Sequence, residues 1–383
     1  MPKLIRITTV PMALRYLLPG QMHFMAANGF DVLMISAEGK ELQAVIENEG
    51  CRHIMVPMTR RITPFRDLKC LFKLIRIFKK EKPDIVHTHT PKAGLLGMMA
   101  ARYCGVKIRI HTVAGLPMMV EKGFKYRLLK FIEKITYAAA NYVWPNSNSL
   151  LQFITNEHLT DPKKLKVIGK GSTNGIDLDI FNKATLDEKI IEKIRTSINY
   201  SSQNKYLLFI GRLVVDKGIV ELLHMFLALQ KKNDAVRLFL VGEYENALDP
   251  LPPATIKEIE SNTSLIHINW TDDVKYYMDV ADIFIFPSHR EGFPNVLLQA
   301  GAMGLPIICS NIAGNIDIVT HGETGFIFDT GNQQQMQNLI EQAIANPEPV
   351  KIMAKKLQEN IRENYRRENT WQNILEAYKS LLN

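Results

Sequence analysis

Cysteine is scarce in this sequence. The four cysteines, Cys51, Cys70, Cys104 and Cys309, are spread over 383 residues. They lack the paired spacing of a zinc site or a redox-active dithiol, so we expect reduced, buried thiols. Hydrophobic residues make up 46% of the chain and charged residues 22%, which is typical of a globular protein with a sizeable core.

Long apolar runs are also absent. No stretch approaches the roughly 20 apolar residues that a membrane-spanning helix requires. The first residues, MPKLIRITTVPMALRYLL, contain no signal-peptide cleavage site and are predicted to form a strand followed by a loop. We therefore expect the protein to be cytoplasmic.

Two common nucleotide-binding motifs are missing. After the first apolar run the chain reads TTVPMALRYLLPGQ, with neither the Gly-x-Gly-x-x-Gly pattern of dinucleotide-binding folds nor a Walker loop. Chemistry that depends on NAD or ATP is therefore disfavoured.

Acidic residues are scarce in one part of the chain and abundant in another. Residues 51–150 contain 19 Lys and Arg against 5 Asp and Glu, whereas residues 201–350 contain 9 against 18. This asymmetry predicts that the two halves face different partners. The basic, partly apolar segments 66–82 and 121–135 fit either helices that lie on anionic lipid or helices that cover a sheet with a solvated basic face. For 121–135 we favour the membrane.

Short apolar runs alternate with longer amphipathic stretches along the whole chain. LIRITTV, DVLMISA, HIMVPM, DIVHTHT and IRIHTVAG are predicted strands, and NYVWPNS and KVIGKGSTNGID continue the pattern. A second alternation starts at KYLLFIG and continues through RLFLVG, LIHINW, ADIFIFP, LPIICS and GFIFD. Strands that alternate with helices predict an α/β fold with doubly wound parallel sheets.

The segment SHREGFPNVLLQAGAMGLP, residues 288–306, carries the strongest functional signal. An apolar run ends at Ser288, Glu291 follows, and a helical pattern begins near Pro294. Backbone amides at a helix N-terminus form an anion site suited to phosphate. Gln299 follows Glu291 by eight residues, about two helical turns, and is predicted to face roughly the same way. The predicted ligand-binding residues here are Gly292, Phe293, Pro294, Asn295, Val296 and Gln299. An ordinary strand–turn–helix unit is the alternative.

A second segment provides fixed cations. Gly211, Arg212 and Leu213 directly follow the strand KYLLFIG, and Lys217 precedes the next helical pattern. Ligands of open α/β sheets bind at the carboxyl ends of strands. Two cations there would stabilise negative charge that develops in a bound substrate during a reaction.

Together these segments resemble retaining nucleotide-sugar glycosyltransferases of the GT-B fold, in particular glycosyltransferase family 4. Their Glu-x7-Glu signature corresponds to Glu291 and Gln299, with glutamine in place of the second glutamate. The resemblance implies that Arg212, Lys217 and Gly211 meet the diphosphate, that Glu291 holds the donor sugar, and that Gln299 holds the ribose.

The resemblance also implies the architecture and the partners. It predicts two Rossmann-like domains facing a central cleft: an acceptor-binding domain over 1–185 and a nucleotide-sugar domain over 186–365. A helix over 366–383 would cross back to the first domain. The expected reaction moves a hexose or N-acetylhexosamine from a UDP-sugar to a polyprenyl-diphosphate-linked saccharide. It would take place on the anionic inner face of the plasma membrane, without a metal or other cofactor.

Three histidines and one acidic pair are weaker candidates. The family has His-Gly after the fifth strand where this chain has Ala114-Gly115, so His111 is a candidate donor contact or a hydrogen-bonded strand-end histidine. His87 and His89 fit a metal site, an acceptor contact or packing. Asp177 and Asp179 match an Asp-x-Asp metal motif, but they lie in a predicted turn after Asn174-Gly175, so no metal is expected.

Two other functions remain open at this stage. A nucleotide-sugar epimerase of the same fold would turn over its substrate without an acceptor. A nucleic-acid-binding protein would use the basic first half, but no recognised binding motif is present and we expect no nucleic acid.

Overall fold

The chain forms two compact units. The computed structural model describes residues 1–245 and 249–383. Unit 1 comprises Met1–Gly175 together with Arg367–Asn383, and unit 2 comprises Ile176–Arg366.

Unit 1 is built around a parallel sheet with flanking helices. Its strands are β1 Lys3–Ile7, β2 Asp31–Ser36, β3 Arg52–Met55, β4 Ile85–His89, β5 Ile108–Val113 and β6 Tyr142–Pro145. Its helices are α1 Pro11–Leu17, α2 Gln21–Ala27, α3 Leu42–Glu49, α4 Pro64–Glu81, α5 Pro91–Tyr103, α6 Gly123–Ala139, α7 Asn148–Asn156 and, at the chain end, α15 Arg367–Leu382.

The sheet of unit 1 has the order β3-β2-β1-β4-β5-β6. All its pairings are parallel, with Leu4 opposite Ile85 and His87 opposite Ile110. Helices cover both faces of the sheet, so β4 is buried along its whole length, its polar residues His87, Thr88 and His89 included. Tyr378 of α15 is fully buried in the same core.

Two predictions for unit 1 are wrong. The segment after β1 is helical, because Pro11 occupies the first turn of α1 and Gly20 adopts the left-handed conformation (φ 77°) that starts α2. KVIGKGSTNGID forms no strand, since Gly169, Gly171, Ser172 and Gly175 all have positive φ angles that a strand does not accommodate.

Unit 2 repeats the architecture. Its strands are β7 Lys205–Ile210, β8 Val236–Val241, β9 Leu265–Ile268, β10 Ile283–Phe286, β11 Ile307–Ser310 and β12 Phe326–Phe328. Its helices are α8 Glu188–Ser197, α9 Ile219–Lys232, α10 Pro253–Ser261, α11 Val274–Val280, α12 Asn295–Ala302, α13 Gln333–Ala345 and α14 Pro347–Asn364. The sheet order is β12-β11-β10-β7-β8-β9, again with parallel pairing. The predicted pair of doubly wound parallel sheets is therefore confirmed.

Both basic, partly apolar segments of unit 1 are helices. Helix α4 buries Cys70, Leu74, Ile77 and Phe78, and helix α6 buries Glu133, Thr136 and Tyr137. Within residues 1–245 and 249–383, no helix has the length and apolar composition needed to cross a bilayer.

Candidate functional site

The predicted site residues of unit 2 lie at the carboxyl ends of β7 and β10. These strands are parallel neighbours, with Leu207 opposite Ile283 and Leu208 opposite Phe284. The segment that starts at Gly211 follows β7, and the segment that leads to Glu291 follows β10. Strand pairing therefore brings two segments, about 75 residues apart in sequence, to one edge of the sheet.

Two glycines allow segments at this edge of the sheet to approach one another closely. A Cβ atom on Gly218 would lie 2.2 Å from the carbonyl oxygen of Pro287, at the end of β10. A Cβ atom on Gly242 would lie 1.9 Å from the carbonyl oxygen of Gly211. Only glycine fits in either position, because any other residue would place a Cβ atom against a backbone oxygen.

Lys217 and Glu291 form an ion pair at this edge. The Lys217 ammonium contacts Glu291 Oε1, and the two side chains are only 14% and 16% exposed. Ser288, fully buried at the end of β10, donates its hydroxyl to the same Oε1 at 3.0 Å. Lys217 Nζ also lies 5.9 Å from the centroid of the Phe286 ring. A fixed cation and a fixed carboxylate thus share one partly desolvated position, where electrostatic interactions are stronger than in bulk water.

Arg212 lies at the same strand end but in a more open environment. Its guanidinium pairs with Glu245, which follows β8, and its side chain is 42% exposed. A phosphate ligand would compete with Glu245 for the same donors, because arginine binds both anions through the same fork of N–H groups.

The segment between β10 and α12 is tied to the start of α9. Arg290 pairs with Asp216 at 2.7 Å, the His289 amide donates to the Asp216 carbonyl oxygen at 2.9 Å, and His289 Nε2 lies 3.1 Å from Glu221 Oε1. The hydrogen bond with Glu221 raises the pKa of His289, and the same bond lowers the pKa of Glu221. These contacts hold Lys217 and Glu291 on one rigid assembly.

Helix α12 begins where the sequence predicted a phosphate site. Pro294 is the N-cap residue and Asn295 the first helical residue. The amides of Asn295 and Val296 lie in the first turn, where α-helices have no internal acceptor for them. Gly292, Phe293 and Pro294 are buried, and the carbonyl of Gly292 packs closely against Gly314, where a Cβ atom would lie at 2.5 Å.

Gln299 lies within α12 and is half-buried. Glu291 precedes the helix by four residues, so the helical spacing that related Glu291 to Gln299 does not hold. The chain between them turns at Gly292 and Pro294 before the helix starts.

The sequence matches two family models of known enzymes. The model "Glycosyl transferases group 1" covers residues 190–367, and "Glycosyl transferase 4-like" covers residues 9–147. The capsular polysaccharide biosynthesis glycosyltransferase CapM of Staphylococcus aureus is 36% identical over 383 residues, which span 99% of this chain and 97% of CapM. The chain is a glycosyltransferase of the family 4 type.

Further similarities agree with this assignment. The UDP-Gal:alpha-D-GlcNAc-diphosphoundecaprenol alpha-1,3-galactosyltransferase of Escherichia coli is 30% identical over 341 residues, 87% of this chain and 84% of that protein. The crystal structure of HepE from Anabaena in complex with UDP superposes with a TM-score of 0.80 at 17% identity, over 99% of this chain and all of HepE. The GT-B fold is thereby confirmed. None of these relatives is an epimerase, so that alternative gains no support.

In unit 1 of the glycosyltransferase, His111 is enclosed by protein. It is 2% exposed, its Nδ1 lies 2.9 Å from Thr88 Oγ1, and its ring packs on Gly94 of α5, where a Cβ atom would lie 2.4 Å away. Burial lowers the pKa of His111 to about 4. The structure therefore places His111 beneath α5 in the core of unit 1, and its contact with the donor stays a prediction.

His87 and His89 belong to a buried polar network. Their rings stack at 4.5 Å, and Arg6, itself fully buried, contacts His87 Nδ1 at 3.2 Å and His89 Nε2 at 2.7 Å. The Tyr378 hydroxyl of α15 contacts both Arg6 and His87. Both histidines are thus held by protein groups.

The predicted turn at Asp177 is present in the glycosyltransferase. Asp177 Oδ1 accepts hydrogen bonds from the amides of Asp179 at 3.0 Å and Ile180 at 3.1 Å. In the described parts of the chain, His, Cys, Asp and Glu side chains do not gather in threes that could hold a metal.

Several residues of the glycosyltransferase site were not predicted from the sequence. The sequence indicates Ser288 only as the end of an apolar run, and it gives no specific signal for Asp216, Glu221 or His289. The sequence signal that could have indicated these residues is their place: polar residues that follow a buried strand are candidates for a site at the sheet edge. Their partners were not predictable, because each pair joins segments far apart in sequence.

Proposed function

We propose that this glycosyltransferase moves a hexose or N-acetylhexosamine from a UDP-sugar to a polyprenyl-diphosphate-linked saccharide, with retention of the anomeric configuration. The observation that carries the proposal is the Lys217–Glu291 pair, held at the ends of β7 and β10 next to the N-terminus of α12. A cation, a carboxylate and helix amides together suit a ligand that joins a diphosphate to a sugar.

Each donor-binding role follows from the chemistry of the side chain. Lys217 and Arg212 neutralise the diphosphate, and Arg212 exchanges Glu245 for a phosphate oxygen. The amides of Asn295 and Val296 bind a second phosphate oxygen at the positive end of α12. Glu291 accepts hydrogen bonds from sugar hydroxyls, and Gln299 binds the ribose through its amide.

The reaction is a front-face displacement. The bond from the anomeric carbon to the diphosphate oxygen breaks, and a bond to the acceptor hydroxyl oxygen forms on the same face of the sugar. The hydroxyl proton moves to the departing diphosphate. Lys217 and Arg212 lower the barrier because they meet negative charge that grows during the step.

The names of the relatives support the choice of substrates. CapM is named for capsular polysaccharide biosynthesis, and the E. coli enzyme for a UDP-sugar donor and a diphosphoundecaprenol-linked acceptor. We place this chain in the same kind of pathway, at the cytoplasmic face of the plasma membrane. An epimerase is not proposed, and nucleic acid remains an unexpected partner.

The experiment is a donor screen followed by a transfer assay. A panel of nucleotide sugars is tested by thermal shift, because a ligand that binds the folded state stabilises it by mass action. The best donor is then incubated with N-acetylglucosaminyl diphosphate on a short lipid, and the anomeric configuration of the product is read by NMR. We expect a donor-dependent rise in Tm and an α-linked product from an α-linked donor. Donor turnover that is independent of acceptor, or an inverted product, would contradict the proposal.

A further inference from the structure

A small cavity lies at the carboxyl ends of β4, β5 and β6 in unit 1. Its polar walls come from His89, Asn146, Ser172 and Thr173, and Trp144 supplies an apolar wall. The space available to the centre of a water molecule is about 20 Å³. One water-sized group needs about 10–15 Å³ by this measure, so the cavity accommodates a single hydroxyl-sized group. Ligands of open α/β sheets bind at this edge of the sheet.

His89 presents an unpaired donor. It is 3% exposed, and its Nε2 lies 2.7 Å from Arg6 Nη2. Arginine only donates, so Nε2 is the acceptor and the proton of the neutral ring lies on Nδ1. The ring is neutral because burial, and then the charge of Arg6, lower the pKa of His89. Nδ1 has no hydrogen-bond partner among the described residues.

Asn146 presents an unpaired acceptor in the wall of the same cavity. It is 4% exposed, and its Nδ2 donates to Thr173 Oγ1 at 3.3 Å. Its Oδ1 finds no partner in the part of the chain that the structure describes. Buried polar groups are nearly always hydrogen-bonded in native proteins, so a donor and an acceptor left over in one cavity point to a missing partner.

The neighbouring backbone holds this arrangement in place. The Ser172 amide donates to the Asn146 carbonyl oxygen at 2.8 Å, and Ser172 Oγ accepts from the Gly175 amide at 3.0 Å. Ser172 has φ 68°, a left-handed conformation that is costly for a serine. The first of these bonds joins the 172–175 loop to the end of β6, and the second closes the turn within the loop.

A hydroxyl group is the ligand that fits. It accepts one hydrogen bond and donates another, whereas a carboxylate would repel Asn146 Oδ1 and an ammonium would leave the His89 N–H unpaired. We propose that unit 1 binds one hydroxyl of the saccharide acceptor here, with His89 Nδ1–H as donor and Asn146 Oδ1 as acceptor. This inference rests on the proposed function, because it assigns the hydroxyl to the acceptor sugar. A water molecule has the same chemistry, and the experiment separates the two.

The test is His89→Gln with a matched control. The Gln oxygen can accept from Arg6 in place of Nε2, which keeps that bond, while the donor at the position of Nδ1 is lost because the Gln amide has no group there. The control is His53→Gln on β3 of the same sheet, whose Nε2 lies 3.0 Å from Ser36 Oγ. The acceptor probe is N-acetylglucosaminyl diphosphate on a short lipid, used in kinetics with the donor and in calorimetric titration without it.

We expect His89→Gln to raise the acceptor KM and Kd about tenfold, the effect of one lost hydrogen bond. The donor KM should stay within about twofold of wild type, and His53→Gln should match wild type. An unchanged acceptor KM and Kd together with a lower Tm would overturn the inference and identify a structural water. If wild type and variant bind the acceptor with equal Kd, the inference about His89 is overturned, even where no transfer occurs. If the wild-type enzyme does not transfer the sugar, that result by itself contradicts the proposed function.

Discussion

Lys217 forms an ion pair with Glu291, and its replacement tests the leaving-group role. Lys217→Ala should lower kcat by about 100-fold, because it removes a charge that acts mainly on the departing diphosphate, and the donor KM should change less. Steady-state kinetics with varied donor measure both. The control is Lys232→Ala on α9, whose side chain is 60% exposed and pairs with Glu341 at 2.8 Å. A variant at 217 with wild-type kcat would exclude the assigned role.

Gln299 tests the ribose contact. Gln299→Ala should raise the donor KM more than it lowers kcat, because ribose binding is the same in the ground state and the transition state. Gln299→Glu, which restores the residue of the family pattern, should stay closer to wild type. Steady-state kinetics with varied donor measure both constants. A larger loss in kcat than in donor affinity would overturn the assignment of Gln299 to the ribose.

At the scale of elements, close backbone approach at Gly218 sets the spacing between the start of α9 and the end of β10. Gly218 has φ 70°, and an added Cβ atom would lie 2.2 Å from the Pro287 carbonyl oxygen. Gly322 has φ 74° but no atom within 4 Å of the added Cβ. Gly322→Ala should cost about 1 kcal/mol from backbone strain alone, and Gly218→Ala clearly more. Denaturant unfolding of both variants measures the difference, and equal losses would show that the close approach is unimportant.

The His289–Glu221 pair should make stability depend on pH. Because the pKa of His289 is raised in the folded protein, the pair's contribution to the free energy of unfolding is complete below the ordinary histidine pKa of 6.5. That contribution disappears as pH rises through the raised pKa. Because the pKa of Glu221 is lowered, its contribution to the free energy of unfolding is present above the ordinary glutamate pKa of 4.5. It is lost as pH falls through the lowered pKa. Asp216 and Asp249 also raise the pKa of His289.

Glu221→Gln should therefore lower Tm most between about pH 4.5 and 6.5, by about 2–4 °C, and progressively less at higher pH. Thermal unfolding of both proteins from pH 5 to pH 9 tests this. Glu341→Gln is the control. Its partner Lys232 keeps its charge over this pH range, so the difference in Tm between this variant and wild type should not change with pH. A flat profile for Glu221→Gln would contradict the pairing.

At the scale of the whole molecule, charge and exposed apolar side chains coincide in unit 1. Phe65 of α4 is 88% exposed, and Phe124 and Phe131 of α6 are 81% and 62% exposed. Lys69, Lys73, Lys125 and Lys134, on the same two helices, are also exposed. Exposed aromatics beside cations are typical of helices that lie on anionic lipid.

We therefore predict binding to vesicles that contain anionic lipid and release by salt. Phe124→Ser with Phe131→Ser should weaken co-sedimentation several-fold. Ile352→Ser on α14 of unit 2, where the native side chain is 59% exposed, should have no effect. Equal binding to neutral and anionic vesicles would contradict this membrane surface.

The fold was largely predictable because its signals are local. The strands of both sheets are apolar runs, and the helices between them show apolar residues at helical spacing. The segments that were mispredicted depend on less local causes. Helix α1 has only seven residues, and KVIGKGSTNGID is apolar in part but is held irregular by positive φ angles.

The site was predictable only as a set of residue types. Lys217, Glu291 and the start of α12 stood out because they follow buried strands. Their arrangement was not predictable, since Glu291 precedes the helix and pairs with a lysine 74 positions away. The sequence offered an acceptor contact as one of three roles for His89, but the cavity that His89 shares with Asn146 was not predictable, because nothing local distinguishes an unpaired buried nitrogen from a paired one.

The order of residues along the chain sets most of the strands and helices, the separation of basic and acidic halves, and the residue types at the strand ends. These follow from short-range periodicity and composition, which the chain carries before it folds. Three features arise only when the chain packs: Lys217 contacts Glu291, His289 contacts Glu221, and His89 and Asn146 line one cavity. Each of these contacts depends on strand order, and those of Lys217 and His289 also involve segments that approach closely at Gly218. Strand order and close approach are both properties of the packed chain.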